Sequence, residues 1–273
     1  MTMRLKMMLG LVGVAIGLGL NRGLGGGVLS AQGAGEGRRP SPAHPVLVEL
    51  FTSEGCSSCP AADDVLREID GRRTETGQVV VGISEHVTYW NRLGWADPFS
   101  SEVYTARQDG YRSRFHIDSA YTPQVVVNGD REVLGSDRKA VLRAVAETDH
   151  APGMAVHIES AKISGDTLEV RYRVDGGAVA GAELFAVVAD DRRSSRVERG
   201  ENAGRTLTHV AVARSLTRLG EIREMGEGST GLHLQRRDGE SKDQAPGGRH
   251  LVLFAQSPGS GRVVAIDVAA LPG

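Results

Sequence analysis

Apolar positions in this chain follow two rhythms, and the change comes near residue 150. Before it, short continuous apolar runs alternate with segments whose apolar residues recur three or four apart. VLVELF (46–51) and QVVVGIS (78–84) read as strands buried on both faces. Between them, Ala62, Val65, Leu66 and Ile69 recur at helical spacing. Pro60 suits the first turn of that helix, where its missing N–H costs nothing. Asp97-Pro98 predicts a second helix, a capping side chain followed by proline, running to about His116. PQVVVNGDREVLG (123–135) reads as two strands joined at Asn128-Gly129, a hairpin dipeptide. SDRKAVLRAVAET (136–148) closes the series with a helix opening at Ser136. The predicted order is β-α-β-α-β-β-α.

After residue 150 the helical spacing fades. AVHIESAKISGDTLEVRYRV predicts a hairpin around Ser164-Gly165-Asp166, and AELFAVVAD, LTHVAVARSL, HLVLFAQ and RVVAIDVAAL predict further strands at sandwich-like spacing. Residues 223–249 read as a long polar loop. RGENAGR (199–205) reads as a surface turn, with docking onto the first half or ligand binding as alternatives. No known catalytic motif occurs in this half.

A third pattern opens the chain. Arg4 and Lys6 precede an apolar run, Met7 to Leu20, shorter than the roughly 20 residues of a membrane span. Small residues follow, with cleavage points between about Ser30 and Gly35. Residues 1–31 therefore read as a secretory signal peptide and 32–44 as a flexible leader. An uncleaved anchor is the competing reading, and glycines lower its hydrophobicity. Gln32 after LSA occupies the place of a lipidated cysteine, so no stable membrane anchor is expected. The expected location is exported, periplasmic or secreted.

Composition adds a boundary. Of the 12 aromatic residues, nine lie between Phe51 and Tyr121, which divides the remainder into 45–150, an α/β domain, and 151–273, a β-rich, sandwich-like domain. Loss of the signal segment moves the formal charge from -2 to about -5, and no basic run is present, so nucleic acid is not an expected partner.

The chemistry concentrates in FTSEGCSSCPAADD (51–64), which holds the only two cysteines, Cys56 and Cys59. A CxxC between a strand and a helix is a redox signal, and an oxidising compartment permits the disulfide. A thiolate at a helix start is stabilised by unpaired N–H groups and the dipole. On this reading Cys56 is the more exposed attacking thiol and Cys59 the resolving one. Three alternatives stay open. A clip closing so small a ring contributes only about 2 kcal/mol. Zinc needs four ligands, with His86 or His116 added from afar. Copper(I) could be held by two thiolates. No cofactor and no metal are expected.

The element order with its CxxC resembles the thioredoxin fold over about residues 45–149. VELFTSEGCSSCPAAD, HVTYWNRLGWADPFSS, RQDGYRSRF, YTPQVVVNG and RGENAGRTLTHVAVAR together resemble an uncharacterised family of secreted thioredoxin-like proteins, a domain of unknown function. The resemblance implies that Pro123, after Thr122, is a cis-proline opening the third central strand and facing the CxxC. It also implies that Glu49 lies near the place of a buried proton-transferring carboxylate, if Gly55 is an insertion. The chain departs from thioredoxin in Gly55, where an aromatic residue is usual, and in Ser57-Ser58.

Around this centre, Trp90, Trp95 and Thr122 are candidate substrate contacts, with His86 and Tyr89 in the same amphipathic wall. Arg107, Gln108 and Tyr111 share a helical face and could add polar contacts; the tryptophans could equally be core. Glu54 reads as an exposed loop charge. The expected function is thiol–disulfide exchange with protein or small-molecule thiols and disulfides, including a redox partner protein. The alternative is a secreted binding or assembly module whose CxxC is a structural clip or Cu(I) site.

Overall fold

A computed structural model describes residues 44–75, 77–148, 153–177, 181–234 and 248–271. The signal and leader readings therefore lie outside the described residues. In chain order the elements are β1 (His44–Thr52), α1 (Cys59–Ile69), β2 (Gln78–His86), a short 3-10 turn at Asn91–Leu93, α2 (Glu102–Arg114), β3 (Gln124–Val127), β4 (Arg131–Leu134) and α3 (Arg138–Ala146). Seven strands follow: β5 (Met154–Ser164), β6 (Thr167–Gly176), β7 (Glu183–Arg196), β8 (Thr206–Glu221), β9 (Gly226–His233), β10 (Arg249–Gln256) and β11 (Val263–Leu271).

The strands form an eight-stranded mixed sheet, in the order β11-β10-β7-β8-β2-β1-β3-β4, and a three-stranded sheet, β5-β6-β9. β1 and β2 run parallel, and β3 returns antiparallel on the other side of β1. The large sheet crosses the composition boundary: β8 lies parallel to β2, with Ser84 opposite Val212. Strands of both halves thus share one sheet.

Side-chain alternation divides the core. On β1, Val46, Val48 and Leu50 face α1 and α3, packing with Ala62, Val65, Leu66, Val141 and Val145. The other face of the same strands presents Leu47, Val81 and Ile83 to Tyr104 of α2, and joins Phe185, Val187, Val252 and Phe254 of the β half. The small sheet covers the opposite face of β7 and β10 through Val156, Leu168, Val170, Leu184, Ala186, Val188, Leu251 and Leu253.

Helix and loop boundaries shift where local bonds decide them. The second helix starts at Glu102, because the Ser101 hydroxyl accepts from the Val103 N–H at 3.3 Å; Asp97 instead accepts from Phe99 N at 2.8 Å and holds Pro98 in a turn. α3 opens after Asp137, one residue beyond Ser136, with Asp137 accepting from Ala140 N. The stretch 223–249 contains β9, paired along β6. Its polar, glycine-rich sequence hid it: Gly228 lies against the Tyr172 ring, and a Cβ there would come within 2.5 Å of a ring carbon. Among the described residues no helix is long and apolar enough to cross a membrane.

Candidate functional site

The sheet register brings the CxxC loop to the carboxyl end of β1. α1 begins at Cys59, with Ser58 as its cap residue and Pro60 in its first turn. Cys56 and Cys59 form a disulfide with Cα atoms 5.4 Å apart. The Thr122-Pro123 peptide bond is cis. Pro123 immediately precedes β3, whose Gln124 stands opposite Phe51 of β1. The Trp90 indole N–H donates to Thr122 Oγ1 at 2.8 Å. Trp90 also packs on Gly55, where an added Cβ would lie 3.2 Å from the Trp90 Cβ. Trp90, through its Cβ and backbone oxygen, thus takes space that a side chain before Cys56 would need.

Burial corrects the expected exposure of the attacking thiol. Cys56 is 1 % exposed and Cys59 0 %, while Ser57 and Ser58 face solvent. The Ser58 hydroxyl lies 3.4 Å from Cys56 Sγ and is the donor there, since a disulfide sulfur carries no proton. The cover comes from the β half. β7 and β8 form one long hairpin whose tip, residues 197–205, lies over the loop. Asn202, 0 % exposed, donates through Nδ2 to the carbonyl oxygens of Glu54 and Cys56, both at 2.9 Å. A Glu201 carboxylate oxygen accepts from the Ser57 N–H at 2.9 Å. The RGENAGR segment is therefore docked on the CxxC loop rather than a free surface turn.

A charged cluster is buried behind the loop. Glu54, read as an exposed charge, is 0 % exposed. Its carboxylate accepts from Trp95 Nε1 at 2.7 Å and from the Ser195 hydroxyl. His209 of β8 places Nε2 3.4 Å from Glu54 Oε1 and Nδ1 3.2 Å from Asp63 Oδ2, distances of an ion pair rather than of aligned hydrogen bonds. Asp63 lies one helical turn beyond Cys59, so the two share a face of α1. Burial works to neutralise His209, but Asp63 and then Glu54 outweigh it and push the imidazole up to about 10. The His86 ring stands edge-on to His209, with centroids 4.6 Å apart, and its Nδ1 lies 2.7 Å from Asp97 Oδ2. Burial raises the Asp97 carboxyl; His86 and the N–H groups of Glu54 and Phe99 overcome it and hold Asp97 below the usual carboxylate range.

Glu49 is not part of this group. Side chains alternate along β1, so Glu49 points to the face opposite α1. There it accepts from Tyr111 Oη at 2.5 Å and from Arg107 Nε. Arg107, Gln108 and Tyr111 are likewise buried under the sheet rather than offered to a substrate. Trp90 and Trp95 are half-buried, and both indole N–H groups are bonded internally. Thr122 stays half-buried beside them. The residues that sequence reasoning missed are Asp63, Ser195, Glu201, Asn202 and His209. The last four come from 140 or more residues away, and the only signal was the family-like segment 199–214. Among the described residues no group of three His, Cys, Asp or Glu side chains is arranged to hold a metal.

The protein AGR_C_4864 from Agrobacterium tumefaciens is 27% identical, with a TM-score of 0.58, over 84% of this chain and 95% of that one. A DUF3823 family protein from Bacteroides ovatus reaches only a TM-score of 0.30 at 13% identity, covering 44% of this chain and 55% of its own, and supports no argument. No curated protein matches the chain. The family described as "Protein of unknown function (DUF1223)" matches residues 47–256, and the chain belongs to it.

Proposed function

We propose that this protein is an exported thiol–disulfide oxidoreductase with a thioredoxin-like first half, acting through Cys56 and Cys59. The observation that carries the reading is the closed Cys56–Cys59 bond at the start of α1 with the buried Asp63–His209–Glu54 group behind it. The position of Pro123, at the head of the strand beside β1, supports it. A structural clip would not need three ionisable groups buried against it, because each costs free energy to desolvate.

In exchange, a partner thiolate attacks Cys56 Sγ. The bond to Cys59 breaks and its electron pair leaves on Cys59, which takes a proton. The partner's second thiolate then attacks its own sulfur in the mixed disulfide and releases the Cys56 thiolate. The partner departs as a disulfide, leaving the CxxC two electrons richer, with Cys59 a thiol and Cys56 a thiolate that takes its proton from solvent; the reverse sequence oxidises a partner. Asp63 replaces Glu49 as the carboxylate suited to trade that proton with Cys59, since it shares the helix face. Export follows from residues 1–31.

The second reading, a binding or assembly module with the CxxC as a clip, draws on the burial of both sulfurs. Equilibration of the full chain with glutathione buffers separates the two. Exchange is expected to give one reversible two-electron transition while the chain stays folded. A disulfide that reduces only as the chain unfolds would overturn the proposal in favour of the clip.

A further inference from the structure

We propose that the tip of the β7–β8 hairpin, residues 197–205, is a specificity-determining latch over the Cys56–Cys59 bond, one that must lift before a bulky thiol partner can reach sulfur. This rests on the exchange reading of the site. Attack on a disulfide needs a line of approach to one sulfur, and here both sulfurs are sealed while the intervening Ser57 and Ser58 are not. What seals them is not packing alone. Asn202 closes on the loop by bonding the carbonyls of Glu54 and Cys56, and Glu201 takes the Ser57 N–H. Those groups are the backbone donors and acceptors that an approaching polypeptide would use. The latch therefore competes with such a partner at the same atoms.

The tip is built to move as one piece. It is bonded within itself, Val197 N to Arg205 O at 2.9 Å, Gly204 N to Val197 O at 2.8 Å and Arg205 Nη1 to Asn202 Oδ1 at 2.7 Å. Below it, the hairpin is anchored independently of the tip: Thr208 O accepts from Arg67 Nη2 at 2.8 Å, and Val212 of β8 pairs with Ser84 of β2. Ser195 and His209 hold Glu54, and further down Leu184, Ala186 and Val188 are fixed in the sandwich core. Between tip and loop the polar bonds are the three from Glu201 and Asn202, together with the packing of Gly200 against Trp95. Releasing those three leaves the anchors intact. The β half thus acquires a role in the chemistry, selecting which thiols are admitted.

The test is the rate at which the full, oxidised chain is reduced by dithiothreitol and by reduced glutathione. Asn202→Ala is expected to speed reduction by dithiothreitol about tenfold, the factor that goes with losing one or two ordinary hydrogen bonds, and to speed reduction by the bulkier glutathione more. Glu201→Lys, at an exposed position, guards against a folding artefact and is expected to act in the same direction. Unchanged rates in both folded variants would overturn the latch. Equal acceleration of both reductants would overturn its role in specificity. Dithiothreitol reduces any disulfide it can reach, so the latch is read independently of a natural partner. Accelerated variants in a chain that exchanges with no partner thiol would refute the redox reading and leave the latch standing.

Discussion

Two buried charge clusters lie on opposite faces of the large sheet, and they are built differently. Under α2, Glu49 and Glu85 share Arg107, whose guanidinium also stacks 5.4 Å from the Phe185 ring and 5.1 Å from the Phe254 ring. Burial first and Glu49 second push Glu85 well above the usual carboxylate range. That cluster joins the two halves and touches no reactive atom. Under α1, His209 sits between Glu54 and Asp63, and the cluster adjoins the disulfide loop at both ends. A buried charge is thus a poor guide to function by itself. What distinguishes the second cluster is that its two carboxylates, Glu54 and Asp63, flank the Cys56–Cys59 loop.

The comparison can be broken most severely at Arg107. Arg107→Met leaves Glu49 buried without its cation, and a loss of about 3–5 kcal/mol in denaturant unfolding is expected, with the thiol chemistry of the folded fraction unchanged. His209→Gln is expected to cost less, about 1–3 kcal/mol, because Trp95 and Ser195 still serve Glu54. Its signature is the pH dependence. The folded value of about 10 lies above the ordinary 6.5, so the stabilisation is fully present below 6.5 and is lost as pH rises through about 10. The wild-type advantage over His209→Gln should therefore shrink across that window in unfolding curves taken from pH 6 to pH 10.5. Glu85→Gln should do least, under about 1 kcal/mol, since burial and the neighbouring Glu49 already disfavour a charge at this carboxyl. A large loss there would show that both carboxyls of the first cluster are ionised.

Local signals made the first half legible. Apolar runs, Asn128-Gly129 and Pro60 each act over a few residues, and the strands and helices stand close to where they place them. The CxxC was visible for the same reason. Glu49 was misplaced because alternation on β1 was not carried through to the face that α1 covers. Glu54 looked like a solvent-facing charge and Asp63 drew no notice because their partner, His209, lies about 150 residues away, and a single sequence carries no pairing information over that span. β9 was missed because Leu232 is its one buried apolar side chain, and elsewhere on the strand Gly228 makes room for a neighbour's aromatic ring.

The account stands on Cys56 and Cys59 having unequal roles in exchange. The direct measurement is mixed-disulfide trapping by Cys59→Ser and Cys56→Ser variants of the full chain in an oxidising extract, read on non-reducing gels. Both variants should stay folded, since the small ring contributes only about 2 kcal/mol. Cys59→Ser should accumulate adducts through Cys56, because attack survives and resolution is lost, and Cys56→Ser should trap far fewer. Equal trapping by both would contradict the assigned roles, and no trapping by either would contradict thiol–disulfide exchange itself.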